Sequence, residues 1–459
     1  MAPRLALALS FVAAAAGVAT ANGRPPSTTA ITFRDGNDAD VIAGLTFGEI
    51  ASHDGGKTWG WLCEDAFGTN AIGTYDPRRV YTPTGALFTT TLNGLTSSRD
   101  ACTYALLAGG PGFVSTLALG PAPDHAIYYA AAQPADAAHG IAADFQIYKS
   151  VDDGKTFPQH TNPTAAGGVS WWQSIKAAPS DPQRVYLTGY VLGAGNSKQL
   201  LLYRSDNGGT TWTSLPVTDF VVQPGISSDL EIAAIAPDDA DVVYMRVTLD
   251  NPTVQGDAIY RSANKGASWT KLRAKDGPIG AFVVRAAKEA GKRVLVLGTQ
   301  AVGAEISRDD GVTWTALPSP PHMTCLVENK AGELWACTQN YGATGISSDN
   351  AGIMKSTDAM SWTKVVRYQE LTEVASCAAG TVAHDRCGAL WCSVCAQLGC
   401  TPASAYGCPS LVDDTPVTPP GKGGCCDAGA GPGGSLALTA VVVGLARRRR
   451  PRARGAASR

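Results

Sequence analysis

Asp229 and Glu231 stand one residue apart in the run Ser227-Ser228-Asp229-Leu230-Glu231-Ile232. Two carboxylates held about 5 to 10 Å apart can cleave a glycosidic bond, one as acid and the other as base or nucleophile. The same pair also reads as two acidic residues on a solvated loop, where such side chains are ordinary. Trp171-Trp172-Gln173 offers a second chemistry, because an indole presents an apolar plate to a sugar ring or a peptide. Its alternative is packing inside the core. Cys392-Ser393-Val394-Cys395 has the spacing of a redox or zinc motif. A thioredoxin-like site needs a βαβ context, and a zinc site in an exported chain competes with disulfide formation. No metal site is assigned. Asp35 to Asp40 suggests a calcium loop, but Ala39 and Asp40 stand where such a loop needs an oxygen ligand and a glycine. No phosphate-binding glycine loop, zinc-protease motif or Gly-x-Ser-x-Gly elbow occurs, so no cofactor is expected.

The elements that would position these groups are announced by a recurring turn. Ser52-His53-Asp54-Gly55-Gly56-Lys57-Thr58-Trp59 has the form Ser-x-Asp-x-Gly-x-Thr-Trp, and it returns at Ser150 to Phe157, Ser205 to Trp212, Ser262 to Trp269 and Ser307 to Trp314. Two further copies are one residue short, Ser98 to Tyr104 and Ser356 to Trp362. The closing aromatics recur at intervals of 45, 53, 55, 57, 45 and 48 residues. A period of that size means one supersecondary unit per repeat. Asp or Asn accepts backbone N–H bonds from the residues that follow it, and glycine supplies positive φ. Each unit is too small to bury its own faces. Seven of them stacked radially and closed on themselves give an all-β, seven-bladed β-propeller.

The turns resemble the Asp-box, or BNR, repeats of sialidases, sortilin-type receptors, xyloglucanase-type glycosidases and photosystem assembly factors. The resemblance covers residues 28–367. It implies that each box joins the third and fourth strands of a blade and lies on the face opposite the usual active site. Asp54, Asp100, Asp152, Asn207, Asn264, Asp309 and Asp358 are then structural. Sialidases of this fold carry Phe/Tyr-Arg-Ile-Pro in the first blade, three substrate-clamping arginines and a Tyr-Glu nucleophile. Here the nearest match is Phe33-Arg34-Asp35-Gly36, and Arg204, Arg261 and Arg308 lie beside or within boxes. A sialidase is not expected.

Val80-Tyr81, Ile127-Tyr128, Val185-Tyr186 and Val243-Tyr244 precede their box aromatics by 23 to 29 residues, and each reads as a second strand. Binding is expected on the face away from the boxes, in loops leading into the inner strands. Those loops contain Phe113, Trp171, Trp172, Gln173, Asp229, Glu231 and His322.

Residues 1–21 read as a signal peptide: Arg4, an apolar run from Leu5 to Val18, and Ala19-Thr20-Ala21 before the cleavage point. Gly424-Cys425-Cys426, an apolar run within about 435–446, and Arg447 to Arg450 resemble the MYXO-CTERM sorting tail of myxobacterial surface proteins, which spans 425–459 here. The basic cluster holds such a tail on the cytoplasmic side. Arg4 leaves with the leader, and seven arginines and Asp427 leave with the tail, so the formal net charge of −2 becomes about −9 for the mature part. That balance argues against a nucleic-acid partner and leaves membrane contact to the tail.

Twelve cysteines fit an oxidising compartment. Cys325 and Cys337 flank an Asn329 to Gly332 turn and suit a cross-strand disulfide; Cys63 and Cys102 could tie the first two blades together. Six cysteines from Cys377 to Cys408 suggest a disulfide-stapled module over 371–410, since so short a segment cannot bury a sufficient core. Residues 411–424 form a Pro/Gly linker. The sequence thus describes an exported, cell-surface, monomeric propeller that binds polysaccharide or an extracellular protein. The alternatives are a secreted glycoside hydrolase using Asp229 and Glu231, and an assembly factor for exported proteins.

Overall fold

Seven four-stranded antiparallel sheets form, each following chain order from its first strand to its fourth. The computed structural model describes residues 24–408 apart from 69–74, 109, 111, 165–169, 194–197, 221–226, 252–253, 288, 290–291 and 407. The leader, linker and sorting tail expected at 1–21, 411–424 and 425–459 lie outside the described residues. Blade 1 consists of β1 (Thr28–Arg34), β2 (Asn37–Leu45), β3 (Gly48–Ser52) and β4 (Gly60–Leu62). The first strands of the other blades are β5 (Arg79–Tyr81), β9 (Val114–Leu119), β13 (Ser170–Ala178), β17 (Ser227–Ala236), β21 (Ala281–Arg285) and β25 (Cys325–Glu328). Each touches its neighbours in this order and β25 returns to β1, so the first strands form the inner ring of a seven-bladed all-β propeller. The Thr116 hydroxyl accepts from the Ile175 N–H at 3.3 Å, and the Ser174 hydroxyl from the Ile232 N–H at 3.3 Å, joining the inner strands of blades 3, 4 and 5.

Each repeated turn follows the third strand of its blade. In blade 1, Asp54 Oδ1 accepts the N–H groups of Lys57 and Thr58 at 3.0 and 2.9 Å, and Oδ2 accepts the Thr58 hydroxyl at 2.7 Å. These bonds, the Thr58 N–H first, hold the Asp54 carboxyl down at about 2. Asp152 sits at about 2 in the same way, led by the Thr156 hydroxyl. Asn207 takes the other polarity: its Oδ1 accepts the Thr211 N–H at 2.8 Å while its Nδ2 donates to the Thr211 hydroxyl at 2.8 Å. Full-length turns put two successive residues at positive φ, such as Asp153 and Gly154; the two short copies put one alanine there, Ala101 or Ala359.

The turn also joins blade to blade. Opposite the turn serine, the second strand carries an apolar residue followed by Ile42, Phe88, Tyr128, Tyr186, Tyr244, Val296 or Trp335 in blades 1 to 7. The turn of the next blade rests on that second residue. A Cβ built on Gly154 would lie 2.1 Å from Phe88 Cζ, one on Gly56 2.7 Å from Trp335, and one on Gly209 3.3 Å from Tyr128. The short turns carry alanine where the preceding blade offers an aliphatic residue: Ala101 shares a core cluster with Ile42, and Ala359 with Val296. Glycine thus faces a ring at Gly56, Gly154 and Gly209, and alanine faces Ile or Val. This register corrects one expectation. Val80-Tyr81 lies in β5, a first strand, and the second-strand pair of blade 2 is Leu87-Phe88 in β6 (Leu87–Thr91).

Among the described residues, blade 1 contains only strands from the start of the propeller and blade 7 only strands from its end, so no shared sheet closes the ring there. Closure falls to the segment after blade 7. It runs to the outer edge of blade 1, where Ala375 N–H donates to Trp61 O at 2.8 Å and Trp61 N–H to Glu373 O at 3.0 Å. The helix α1 (Val382–Leu398) then packs on the same blade. Thr381 caps it by accepting the His384 N–H at 3.2 Å, and Gly399 ends it at φ 69°. Its Trp391 is fully buried, 5.3 Å from Trp61 between ring centroids.

Disulfides fasten this segment. Cys63 is bonded to Cys387 and Cys102 to Cys377, which corrects the expected Cys63–Cys102 bridge. The returning segment lies between those two blades and takes one bond from each. Cys325–Cys337 spans β25 and β26 (Leu334–Cys337). Cys392 pairs with Cys408 and Cys395 with Cys400, so the two cysteines of the Cys-x-x-Cys run belong to separate bridges. The cysteine-rich module after the propeller has two staples of its own and two to blades 1 and 2, and its buried residues join the core cluster of blades 1 and 7. Among the described residues, no helix is long and apolar enough to cross a membrane.

Gly154→Ala should destabilise the protein by about 2–5 kcal/mol, combining left-handed strain with overpacking against Phe88. Phe88→Val in the same chain should recover part of that loss in denaturant titrations; strictly additive costs would sink the seating argument. Replacing Cys377 and Cys387 by serine breaks two bridges and should cost about 2–5 kcal/mol for each. Hydrogen exchange should then show α1 opening before the blade cores, whereas uniform opening would contradict a latch.

Candidate functional site

Since each repeated turn follows a third strand and the strands alternate in direction, the N-terminal ends of the first strands lie on the opposite face. Asp229 and Glu231 are near that end of β17, inside the strand and not in a loop ahead of it. Trp171, Trp172 and Gln173 are likewise inside β13. Phe113 immediately precedes β9, and His322 lies three residues before β25.

Only some of these residues meet. Gln173 Nε2 donates to Asp229 Oδ1 at 2.7 Å, and Lys198 Nζ, on β15 (Lys198–Ser205), lies 2.7 Å from the same oxygen. Glu231 forms ion pairs with Arg246 on β18 (Asp239–Asn251) and with Arg78, whose Nη2 stands 3.3 Å from Oε1. Arg78 directly precedes β5, so this pair links blade 2 to blade 5 across the central channel. Burial would raise the Glu231 carboxyl, but the charges of Arg246, Arg78 and Lys176 bring it down to about 2. The surrounding cations therefore favour the charged form of Glu231. Lys176, on β13, faces the same charges; burial first, then repulsion from Arg78 and Arg246, pulls its ammonium below the usual lysine range.

A third carboxylate behaves differently. Asp257, on β19 (Val254–Ser262), is buried, and burial raises its carboxyl above the usual range despite the Arg246 charge and the Ile279 N–H, which donates to it at 2.7 Å. In the sheet register Asp229 pairs with Thr248, and Thr248 with Asp257. Two strand spacings put those backbone positions about 10 Å apart.

Polar atoms at the mouth remain unsatisfied by protein. Among the described residues, Gln173 Oε1 and Arg246 Nε are buried without a hydrogen-bond partner, although Arg246 Nε is ion-paired with Asp257 at 3.8 Å. Buried polar groups normally have partners, so such atoms call for a ligand or water.

The aromatic candidates divide. Trp172 is 2% exposed, donates from Nε1 to Phe145 O at 2.7 Å and packs against Tyr203, so it belongs to the core between blades and not to a binding surface. Trp171 is half-buried, edge-on to Phe145, and Phe113 is half-buried beside Tyr75. His322 is held to Asp349 through both its ring, at 2.9 Å, and its backbone N–H, at 3.0 Å.

Sequence reasoning missed Arg78, Lys176, Arg246 and Asp257. Arg246 had a signal, a single charge in the apolar strand Val242-Val243-Tyr244-Met245-Arg246-Val247. Arg78 had none, because nothing local says that blades 2 and 5 face each other.

Comparison with known proteins adds the following. No family model matches the chain. A xyloglucanase from Paenibacillus sp is 28% identical over 174 residues, which is 32% of this chain; the chain spans only 16% of that relative's length. Among solved structures, an ancestral GH74 enzyme aligns with 76% of this chain and 55% of its own, at 14% identity and a TM-score of 0.48. The GH74 xyloglucanase from Xanthomonas campestris aligns with 73% of this chain and 57% of its own, at 16% identity and a TM-score of 0.38. YCF48 from Cyanidioschyzon merolae aligns with 68% and 92%, at 14% identity and a TM-score of 0.41.

The Glu231 cluster makes stability depend on acid. Its carboxyl sits at about 2 when folded and about 4.3 when unfolded, so its contribution is complete above about pH 4.3 and vanishes as pH falls towards 2. Glu231→Gln should cost about 1–3 kcal/mol at pH 7, less than a fully buried pair because 26% of the side chain meets solvent. Stability measured from pH 5 to pH 2 should fall less steeply in the variant than in the parent, and parallel curves would contradict this role.

Proposed function

We propose that this protein is an exported propeller that binds polysaccharide at the channel mouth opposite the repeated turns, without cleaving it. Five disulfides fit export to an oxidising compartment. The carrying observation is the buried acceptor Gln173 Oε1, which has no hydrogen-bond partner among the described residues, beside the Arg246 guanidinium at the mouth. Half-buried Trp171, two residues from Gln173 on the same strand, supplies an apolar plate for a sugar ring. Asp229 and Glu231 serve as anchors for cations, which suits a surface that holds a ligand more than one that transfers protons.

Glycoside hydrolysis is the second reading. It is favoured by the sequence match to a xyloglucanase and by Asp257, whose raised carboxyl lies across Thr248 from Asp229. In that case Asp257 is the acid and Asp229 the base, on the same face of the sheet with one strand between them. Binding of an extracellular protein, including assembly of exported partners, would use the same face, and anchoring by the tail would hold it at the cell surface.

The mature chain, residues 22–424, should be incubated with immobilised polysaccharides, xyloglucan among them, while retention and new reducing ends are both measured. Retention without new ends is expected. New ends that disappear in Asp257→Asn and Asp229→Asn would replace this reading with hydrolysis, and absence of retention on every polysaccharide would overturn it.

A further inference from the structure

Charge at the channel mouth is unevenly matched. Arg78, Lys176 and Arg246 converge on Glu231, with the buried Asp257 3.8 Å from Arg246, while Lys198 is matched by Asp229. Lys176 has no carboxylate within ion-pair distance among the described residues, although it feels Glu231 and both arginines. The mouth thus brings four cations against three carboxylates, one of them buried with a raised carboxyl, in a chain whose mature part is acidic overall, which marks a local arrangement and not a general surface property. Arg78 is half exposed and reaches Glu231 from the far side of the channel at 3.3 Å. Such a bridge is easily exchanged for another carboxylate, because a solvent-exposed pair contributes little. Beside these cations stands the buried acceptor Gln173 Oε1, which suits a hydroxyl donor. Cations for a carboxylate and an acceptor for a hydroxyl are the two things a sugar acid displays together.

We infer that the polysaccharide held at this mouth is a polyuronate, with one uronate carboxylate between Arg78 and Lys176 in the place Glu231 occupies in the free protein, and a ring hydroxyl donating to Gln173 Oε1. This rests on the reading that the mouth binds polysaccharide. Glu231 then acts as a resident competitor that keeps the cations oriented until the ligand displaces it. Arg78 swings from Glu231 to the ligand, and the displaced Glu231 withdraws towards Arg246, with which it keeps its own pair.

The test uses polygalacturonate, its fully methyl-esterified form and neutral xyloglucan as probes on the mature chain. Polygalacturonate should bind at least tenfold more tightly than the ester, and its binding should weaken steeply with salt. Arg78→Gln and Lys176→Met should each lose tenfold or more for the acid and little for xyloglucan. Glu231→Gln should bind the acid more tightly than the parent, a gain that a purely structural Glu231 cannot give; melting curves verify that each variant is folded. Equal binding of acid and ester, or a loss in Glu231→Gln with the fold intact, overturns the inference. Retention of xyloglucan by the parent and by Arg78→Gln, without preference for the acid, overturns it while leaving polysaccharide binding intact. Retention of none of the probes overturns both. Capture of carboxylate-terminated peptides in preference to polyuronate also overturns it.

Discussion

The close approach of each repeated turn to the second strand of the preceding blade sets the geometry of the ring. It depends on what stands at one position of the turn. Where the neighbouring blade presents a ring, as at Phe88, Tyr128 or Trp335, the turn has glycine and no Cβ to collide with it. Where the neighbour presents Ile42 or Val296, the turn has alanine and is one residue shorter. Size is conserved across the joint even though neither partner is. A single side-chain contact is thereby converted into a spacing between blades, and seven such spacings must sum to a closed circle.

Closure itself has a different physical basis. Blades 1 and 7 meet through side chains and backbone, as in the 2.7 Å contact between the Thr28 and Tyr368 hydroxyls, and not through a sheet built from both ends of the chain. The C-terminal segment compensates. It pairs with the edge of blade 1, buries Trp391 against Trp61, and crosslinks to blades 1 and 2. Because those crosslinks join residues 324 and 275 positions apart, they constrain almost the whole unfolded chain. The channel mouth inherits this rigidity, since Arg78 and Glu231 meet only if blades 2 and 5 stay at a fixed distance.

The turns were legible in the sequence because their hydrogen bonds close within five residues; Asp54 and Thr58 need nothing distant to find each other. The blade count followed from their spacing. Val80-Tyr81 misled because a Val-Tyr pair fits a first strand as well as a second, and only pairing with the turn serine separates the two. The Cys63 and Cys102 partners were hidden for a related reason: nearness in sequence between blades 1 and 2 says nothing about a segment that returns from the far end. The candidate site was half legible. Asp229 and Glu231 stood out as a pair, but their meaning depends on Arg78 and Arg246, which reach them from another blade and another strand. Trp172 looked like a binding plate, and its indole N–H instead serves the core.

The crosslinked latch also decides how the molecule bears mechanical load. Tension on the chain beyond Cys408 passes through its bridge to Cys392, along little more than one turn of α1 to Cys387, and across to Cys63 in blade 1. Blade 7, although it directly precedes the latch in sequence, lies outside that path. A propeller tethered at this end would be pulled on through its first blade, and the strands most exposed to peeling by their place in the chain would carry no force.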